Sequence, residues 1–578
     1  ARRTSGRPAE RRDDVSAPGE PRARSSPSGA EQHWDREADV VVLGSGAAAL
    51  SAALAAAVGG ARVIVLEKAA VLGGTTAMSG AGTWVPANHH MLAAGMADSK
   101  AEALSYLRAT APPGWYQTED ALWQAFVEAA PDMLAFLEAH SPLRFELVHH
   151  PDLYVEAPGG KFTGRMVSPL PISRNILGPW RDRIRRPSKS HIFTYRELIV
   201  GTVLKRPVAT LLKMAPELLY RFATRRVGMG NALIVGLVKG CLDHGCEIMA
   251  PARAERLLTD GAEPAQGRVI GVEALASEGT LAIRAHKGIV LATGGFEWDF
   301  ERRARHFPGE LGLTGAPRTN TGDGHRMAEE VGARLEHMDQ ANIYTSTVTT
   351  YEGERMALPF NELYSPHCVL VDRHGKRFLN EGDPNLGVAL DARDPATGLP
   401  LHLPAWRIFD AQYAARNWYS MRVGRKEPGW FREAASIAAL ARRIELDPAV
   451  LEATIARFNG FAAAGKDADF HRGETAWERF YTDDPARPGR NGALGTIERP
   501  PFYAAPYHRA ILVTKGGPRT NERGQVLRAD GSIISGLYCA GVTMANPIGS
   551  KAVGAGTTIG PCLAWGYICG KNLLRENV

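Results

Sequence analysis

The sequence predicts an α/β protein in which a parallel sheet flanked by helices is interrupted by an inserted α+β region. A strand, a glycine-rich turn, a helix and a second strand follow one another in residues 38–67. Two later apolar runs, 288–292 and 536–540, also lead into glycine, as strands do at the edge where a parallel sheet binds ligands. Between about 298 and 504 helical and strand patterns mix and Trp, Tyr and Pro are frequent, which indicates the inserted region.

The first unit has the residue order of a Rossmann-like dinucleotide-binding fold. Val40–Leu43 form an apolar strand that enters Gly44-Ser45-Gly46, and a helix of small residues runs from Ala47 to about Val58. A second strand, Arg62–Leu66, ends on Glu67. A GxGxxA pattern in this complete strand–turn–helix–strand setting predicts that a dinucleotide binds here.

The small residues of this unit have separate physical tasks. Gly44 makes the tight turn, and Gly46 lets the backbone approach a pyrophosphate. The helix N-terminus at Ala47 presents free N–H groups and the positive end of the helix dipole to phosphates. Glu67, 23 residues after Gly44, can accept hydrogen bonds from both hydroxyls of an adenosine ribose. The small and hydroxylated stretch 73–80 can let the chain lie against a flat ring system.

Composition and charge exclude several other classes. No run approaches about 18 uninterrupted apolar residues, so no transmembrane helix is expected. The net charge of +6 is small for 578 residues and gives no reason to expect a nucleic-acid partner. The six cysteines form no CxxC pair, and His149-His150 has no further ligand cluster at metal-binding spacing. We therefore expect no metal site and no disulfide framework.

Residues 1–36 consist of Arg, Ser, Pro, Gly and Glu with almost no aliphatic side chains, so we expect a disordered tail. Arg2-Arg3 and Arg11-Arg12 suggest a twin-arginine signal, but the apolar segment that such a signal needs does not follow them. A cytoplasmic location is therefore expected.

Residues 181–226 are strongly basic, with 12 Lys and Arg against 3 Asp and Glu, and they carry apolar residues at helical spacing. The favoured interpretation is a helical insert that packs its apolar face on the body and leaves its charges in solvent. The alternative is a basic amphipathic helix that makes a peripheral membrane contact.

Nine motifs occur in order along nearly all of the chain after residue 37. They are GSGAAAL (44–50), VIVLEK (63–68), GGTTAMSGAGTWVP (73–86), GIVLATGGF (288–296), NTGDG (320–324), GKRFLNE (375–381), TKGG (514–517), GLYCAG (536–541) and GAGTTIG (554–560). Together they resemble the FAD-dependent oxidoreductase family of the 3-ketosteroid dehydrogenases and the fumarate reductase/succinate dehydrogenase flavoproteins. The ketosteroid branch is the nearer of the two.

The resemblance implies FAD as the cofactor and a layout of three segments. Residues 37–297, with the basic insert at about 181–226, and residues 505–578 form the FAD-binding domain, and residues 298–504 form an α+β domain that caps the substrate. The stretch TTAMSG has no histidine for attachment, so FAD is expected to be non-covalent. The residues expected to contact FAD are Gly44, Ser45, Gly46, Ala47, Ala48, Glu67, Lys68, Gly74, Thr75, Thr76, Ser79, Gly80, Ala254, Thr293, Gly294, Asp323, Gly541, Thr558 and Ile559.

The catalytic set that the resemblance implies is present only in part. Ketosteroid 1-dehydrogenases hold the ketone and remove its proton with three tyrosines and a glycine N–H. The glycine matches Gly556, whereas the tyrosine positions match Leu153, Asn385 and Ala552. The catalytic arginine of fumarate reductases also has no counterpart, because no arginine occurs between Asp530 and the end of the loop before Gly556.

Three side chains are candidates to replace the missing groups. Lys551 adjoins the vacant position at Ala552, Tyr344 lies on a stretch that lines the substrate pocket in relatives, and Tyr154 adjoins Leu153. Tyr364 and His367 are further candidate acids or bases.

The sequence thus predicts an FAD-dependent oxidoreductase that acts on a CH–CH bond beside the carbonyl of a lipophilic, cyclic, steroid-like substrate. Hydride would pass to or from flavin N5, and an electron acceptor or donor that the sequence does not identify would complete the cycle. Two alternatives stay open: a reductase of other α,β-unsaturated carbonyls or carboxylates, and a flavin-binding protein without the family's dehydrogenase activity.

Overall fold

The computed structural model describes residues 33–200, 207–311, 313–344, 346–359, 365–482, 489 and 491–576. The strands are β1 Arg36–Leu43, β2 Val63–Leu66, β3 Thr83–Trp84, β4 Phe145–Leu147, β5 Met166–Pro169, β6 Ile172–Ser173, β7 Arg226–Val227, β8 Glu247–Met249, β9 Ala252–Thr259, β10 Val269–Ala276, β11 Gly279–Leu291, β12 Leu313–Thr314, β13 Leu335–Glu336, β14 Ala341–Tyr344, β15 Ser346–Tyr351, β16 Glu354–Pro359, β17 Cys368–Val371, β18 Ala405–Phe409, β19 Arg432–Ala434, β20 Phe502–Tyr507, β21 Ala510–Thr514, β22 Gly517–Pro518, β23 Gln525–Leu527 and β24 Ile533–Cys539.

Helices lie between these strands, together with 3₁₀ turns at Arg174–Trp180 and Gly541–Thr543 and one π-helical turn at Arg196–Val200. The α-helices are α1 Ala47–Val58, α2 Gly74–Met78, α3 His89–Ala93, α4 Lys100–Thr110, α5 Tyr116–His140, α6 Pro207–Ala223, α7 Met229–Asp243, α8 Phe300–His306, α9 Asp323–Glu330, α10 Leu386–Leu390, α11 Ala411–Arg416, α12 Trp418–Gly424, α13 Ile437–Arg443, α14 Pro448–Ala464, α15 Ala476–Thr482 and α16 Ile559–Leu573.

The central sheet has the strand order β23-β24-β11-β1-β2-β8, and β9 and β10 extend β11 as an antiparallel meander. β1 lies parallel to both β2 and β11, and β24 lies parallel to β11. The carboxyl ends of these strands therefore meet at one edge, where parallel sheets bind their ligands. This part of the prediction, a dinucleotide-type parallel sheet, is what the structure shows.

The small side chains of α1 have a packing reason. A Cβ on Gly566 of α16 would stand 2.2 Å from the Ala48 carbonyl oxygen, and one on Gly570 would stand 2.5 Å from the Ala52 carbonyl oxygen. The two helices thus pack backbone against backbone, which needs glycine at these positions of α16 and small residues on α1.

A second sheet, β17-β18-β20-β19, is antiparallel and packs on α13 and α14 with its own apolar core. A buried ionic cluster holds this region together. Arg377 donates to Glu381 at 2.7 Å and to Asp467 at 2.8 Å, and Arg472 reaches Glu381 at 3.2 Å. The boundary predicted at 504 divides β20, Phe502–Tyr507, so this strand belongs with the second sheet and not with the returning FAD-binding segment.

Two expectations from the sequence need correction. The predicted tail 1–36 lies outside the described residues up to residue 32, but its last residues are ordered. Arg36 starts β1 and pairs with Ile283, and the Asp35 N–H donates to the Ala282 oxygen at 2.9 Å. These ladder hydrogen bonds explain why the strand begins before its apolar run does.

The favoured interpretation of the basic segment is wrong in the described part of α6. Leu212, Leu219 and Phe222 are 72%, 68% and 79% exposed, so the apolar face does not pack on the body. Arg221, on the opposite side of the helix, is buried instead. Within the described residues, no helix is both long and apolar enough to cross a membrane.

Candidate flavin and substrate site

A cleft opens where β1, β2, β11 and β24 end. Fifteen of the nineteen residues expected to contact FAD line it: Gly44, Ser45, Gly46, Ala47, Ala48, Glu67, Lys68, Gly74, Thr75, Thr76, Ala254, Thr293, Gly294, Asp323 and Gly541. The cleft is also lined by residues that the sequence did not single out: Leu43, Leu66, Ala252, Ala292, Thr319, Asn320, Ala540, Val542 and Cys562. Most of these are neighbours of predicted residues.

The turn after β1 needs glycine. Gly44 has a φ of +109°, and a Cβ there would stand 2.3 Å from the Ala292 carbonyl oxygen. The ends of β1 and β11 therefore touch through their backbones. Gly46 follows in extended conformation as the cap of α1 and carries no side chain to cover the helix N-terminus. This cradle fits the pyrophosphate of a dinucleotide.

Glu67 lines the cleft and is buried. Its carboxylate accepts hydrogen bonds from the Ser45 hydroxyl at 2.6 Å and from the Ala69 N–H at 2.8 Å. Burial raises the pKa of Glu67, although these two hydrogen bonds act to lower it. The Ser45 oxygen in turn accepts from the Gly73 N–H at 2.9 Å. The carboxylate is therefore fixed in orientation before any ligand arrives.

An ion pair closes another side of the cleft. Lys68 Nζ donates to Asp323 at 2.9 Å and to the Thr321 hydroxyl at 2.6 Å, and Arg253 reaches Asp323 at 3.3 Å. Burial works to raise the pKa of Asp323, but Lys68 and Arg253 outweigh it and lower the pKa. The NTGDG motif is thereby tied to the VIVLEK motif across 255 residues.

The remaining four predicted FAD contacts lie beyond the cleft just described. The Ser79 hydroxyl donates to the Thr76 oxygen at 2.8 Å, and Gly80 is flanked by the ring of Tyr195. Thr558 and Ile559 stand at the start of α16. These positions lead from the dinucleotide cleft toward Gly556.

Gly556 needs glycine for the same reason as Gly44. Its φ is +96°, and a Cβ there would stand 2.5 Å from the Gly82 carbonyl oxygen. Its carbonyl oxygen accepts the Trp84 N–H at 3.3 Å. The glycine that matches the family's carbonyl-holding N–H is thus pressed against Gly82, within the motif 73–86.

The three vacated tyrosine positions converge in space. The Asn385 side chain pairs twice with Ala552: its Nδ2 donates to the Ala552 oxygen at 2.8 Å, and its Oδ1 accepts the Ala552 N–H at 2.9 Å. The Leu153 N–H donates to the Val553 oxygen at 3.1 Å, and its side chain belongs to a small apolar cluster with Trp477. The three positions that the resemblance matches to tyrosines thus lie together in the fold, and none of them carries a phenol.

A different phenol occupies this place. Asn385 Nδ2 donates to Tyr154 Oη at 2.6 Å, and Lys551 Nζ lies 4.5 Å from the centre of the Tyr154 ring. Burial raises the pKa of Tyr154, and the nearby Asp383 carboxylate raises it further. At neutral pH the phenol therefore keeps its proton and can donate it in a hydrogen bond.

A second phenol, Tyr195, escaped the sequence analysis. Its ring would stand 2.7 Å from a Cβ on Gly80 and 3.7 Å from one on Gly82. Burial raises the pKa of Tyr195, and Tyr344 raises it further, so the two phenols are neighbours. Tyr195 lies in the basic segment 181–226, and no sequence motif marks it as a candidate there. Tyr344 ends β14, whose first N–H, at Ala341, donates to the Ser550 hydroxyl at 2.9 Å.

The other sequence candidates are placed differently. His367 Nδ1 lies 2.7 Å from the Thr496 carbonyl oxygen, and its ring packs over Gly495. Tyr364 lies outside the described residues. A lysine missed as a candidate, Lys515 of the TKGG motif, is fully buried and donates to the Gly549 oxygen at 2.6 Å; burial lowers its pKa to about 8.

Comparisons with known proteins agree with this geometry. A family model described as an FAD binding domain matches residues 39–559. The chain is 36% identical to a 4-oxocyclohexanecarboxylate 2-dehydrogenase of Sinomonas cyclohexanicum, over 93% of each chain. It is also 36% identical to a 3-oxosteroid 1-dehydrogenase of Mycolicibacterium smegmatis, over 92% of this chain and 96% of the relative.

Among solved structures, the fold is similar to that of a 3-ketosteroid Δ1-dehydrogenase from Sterolibacterium denitrificans in complex with 1,4-androstadiene-3,17-dione. The TM-score is 0.84 and the identity 31%, and the match covers 94% of this chain and 100% of that chain. The motif order, the cradle at the strand ends and the matched length together lead to one conclusion. The chain belongs to the FAD-binding family of oxidoreductases that includes the 3-oxosteroid dehydrogenases, and its cofactor is FAD.

Proposed function

We propose that this protein is a dehydrogenase that introduces a C=C bond beside the carbonyl of a lipophilic cyclic ketone. The observation that carries the proposal is that Asn385, Ala552 and Tyr154 meet, four residues along the chain from a Gly556 that is pressed against Gly82. FAD, when bound, supplies the acceptor for the hydride that leaves the β-carbon. The chain's own residues must hold the carbonyl and accept the α-proton.

We assign the carbonyl to the Gly556 N–H and the Tyr154 O–H. Asn385 Oδ1 accepts the Ala552 N–H, so its Nδ2 must be the atom that faces Tyr154. Because this amide donates to the phenol oxygen, the phenol's own hydrogen is left for another acceptor, such as a ketone oxygen. A donor placed where negative charge develops increases the rate by about 10²-fold or more.

We assign proton removal to the pair of Tyr195 and Tyr344. Tyr195 flanks Gly80 and Gly82, and Tyr344 is close enough to Tyr195 to raise its pKa. In this assignment one phenol first gives its own proton to solvent, and the resulting phenolate oxygen then takes the α-proton; because burial raises the pKa of Tyr195, the rate should rise with pH. A base in this position contributes about 10²–10⁴-fold to the rate.

The test is anaerobic mixing of the FAD-loaded enzyme with a panel of 3-ketosteroids and simpler cyclic ketones. We expect the absorbance of oxidised flavin to bleach with a saturated ketone. Tyr154→Phe, Tyr195→Phe and Tyr344→Phe should each slow bleaching by about 10²-fold. Tyr116→Phe is the matched control, because this phenol is 53% exposed on α5.

Other outcomes lead to other functions. If no ketone bleaches the flavin but an enone reoxidises prereduced enzyme, the protein is a reductase. If neither occurs while flavin stays bound, it is a flavin-binding protein without this activity. Unchanged rates in all three tyrosine variants with an active wild type would remove these residues from the mechanism.

A second substrate class is a cyclic ketone that carries a carboxylate. Lys551 adds a cation beside Tyr154 at the proposed carbonyl site, and one relative is named for such a substrate. We expect 4-oxocyclohexanecarboxylate to be preferred over its methyl ester, and Lys551→Met to abolish the preference. Equal kcat/KM for acid and ester in the wild type would exclude this class.

FAD is proposed to be non-covalent, as the motif 73–86 lacks an attachment histidine.

A further inference from the structure

The exposed face of α6 is the most unusual surface of the described chain. Leu212 and Leu219 are seven residues apart and lie on the same side of the helix, and Phe222 follows three residues later. Leu211 and Tyr220 flank them and are 42% and 50% exposed. We call these five side chains the α6 surface. They form a contiguous apolar stripe that faces solvent, where a soluble surface helix has its polar face.

The reversed orientation of α6 is fixed by charge. Arg221 is buried on the other side of the helix, where it donates to Glu197 at 2.7 and 2.8 Å and to Glu217 at 2.8 Å. It also donates to the Ile192 carbonyl oxygen at 3.0 Å. Turning the apolar stripe inward would break this network of four hydrogen bonds. The outward stripe is therefore a property of the fold.

A basic cavity of about 500 Å³ adjoins the α6 surface. Phe222 belongs to both, and the Arg226 guanidinium lies 5.5 Å from the ring centre of Tyr220. Seven cationic side chains line the cavity against one acidic side chain, Asp182. The cations are Arg174, Arg181, Arg186, Lys189, Arg221, Arg225 and Arg226.

The cavity carries more positive charge than its acidic neighbours offset. Burial lowers the pKa of Arg174, and the nearby Arg186 and Arg225 lower it further. The Nε atoms of Arg174 and Arg226 are buried and have no hydrogen-bond acceptor in the part of the chain that the structure describes. These two N–H groups are closed off from solvent, so a phosphate would be held by the outer guanidinium N–H groups that line the cavity.

We propose that the α6 surface and this cavity dock the protein on a bilayer that contains anionic phospholipids. The apolar stripe enters the boundary between headgroups and acyl chains, and the cavity holds lipid phosphates. A free anion would bind in the cavity but would not cover the apolar stripe. An apolar protein partner would cover the stripe but would not bind in the cavity. Because Phe222 joins the two, a ligand with an anionic head beside an apolar body fits the whole surface. The docking does not depend on the proposed function, although a bilayer is where a lipophilic ketone would collect.

The test is co-sedimentation of the FAD-loaded protein with vesicles. We expect binding to phosphatidylcholine vesicles that contain phosphatidylglycerol, weaker binding by about tenfold or more to pure phosphatidylcholine, and loss of the difference at high salt. The triple variant Leu212→Ser, Leu219→Ser, Phe222→Ser should lose binding to both. Arg186→Ala with Arg225→Ala should lose only the preference for anionic vesicles.

Two control variants match these changes elsewhere on the surface. Leu275→Ser removes a side chain that is 48% exposed on β10, and Arg305→Ala removes a cation that is exposed on α8. Neither should alter vesicle binding. All substituted side chains are exposed, so thermal unfolding of each variant should match the wild type and separate docking from folding.

Several results would overturn the proposal. One is a wild type that binds no vesicle, or variants that bind as the wild type does. Another is binding of inorganic phosphate or glycerol 3-phosphate in calorimetry without vesicle binding, which indicates an anion site only. A third is a concentration-dependent dimer that the triple serine variant disperses without any vesicle binding, since the stripe is then an interface between copies of the chain.

Discussion

The substitution Gly44→Ala tests the geometry of the cofactor cradle most directly. A methyl group there would stand 2.3 Å from the Ala292 carbonyl oxygen and 2.9 Å from its carbon, at a φ of +109°. The conformation alone costs an L-residue about 1–2 kcal/mol. The overlap with fixed backbone adds about 1–3 kcal/mol.

The overlap can be relieved only by moving the turn or the end of β11, and both are walls of the cleft. We therefore expect the affinity for FAD to fall. A loss of about 3 kcal/mol corresponds to roughly a hundredfold rise in Kd. The assay is titration of the apoprotein with FAD, followed by quenching of flavin fluorescence, together with the thermal unfolding of the apoprotein.

Gly60→Ala is the matched control for this prediction. Gly60 has a φ of +90°, no atom within 4 Å of its Cβ position, and no part in the cleft. It carries the conformational cost without the overlap, so FAD affinity should stay within a few-fold of the wild type. The reasoning is refuted if Gly44→Ala binds FAD as well as Gly60→Ala does.

Three further predictions follow from other parts of the structure. Denaturation of the protein in acid should release FAD into the supernatant, and flavin that stays with the precipitate would show a covalent link. Lys515 has a pKa of about 8 when buried, against about 10.4 unfolded, so its charged form disfavours folding below pH 8 and the penalty disappears as pH rises toward 10.4. The free energy of unfolding of the wild type should therefore increase over this range relative to Lys515→Met, by up to roughly 3 kcal/mol, as measured with urea; parallel pH profiles would contradict it. Glu381→Gln should lower the free energy of unfolding by about 3–5 kcal/mol because it leaves Arg377 and Arg472 underpaired, whereas the exposed Glu452→Gln should change it by less than about 0.5 kcal/mol.

The positions that line the cleft could be predicted because their signals are local. The strand β1, the turn at Gly44 and the helix α1 are contiguous, and the helix has the predicted bounds, Ala47–Val58. The motifs after β11 and β24 are likewise short runs at strand ends. Where a site is built from residues that are neighbours in the sequence, the order of the residues is enough to predict its positions.

The substrate end of the site could be predicted only as a set of positions. Asn385 and Ala552 are 167 residues apart, and the double hydrogen bond between them appears only when the chain is folded. Tyr195 had no motif to mark it, because its place beside Gly80 and Tyr344 depends on how the basic segment packs. Long-range contacts of this kind leave no local pattern.

For α6 the sequence determined an amphipathic helix within a basic segment, but the tertiary structure decided which face packs. An apolar stripe in the sequence shows which residues share a face of the helix. It does not show which of the two faces packs on the protein. In the folded chain Arg221 is buried and pairs with Glu197 and Glu217, whereas Leu212, Leu219 and Phe222 face solvent. Sequence by itself thus determined the motifs of the FAD cradle, which are short and contiguous, and tertiary structure decided the substrate cluster and the outward face of α6, which depend on contacts between distant residues.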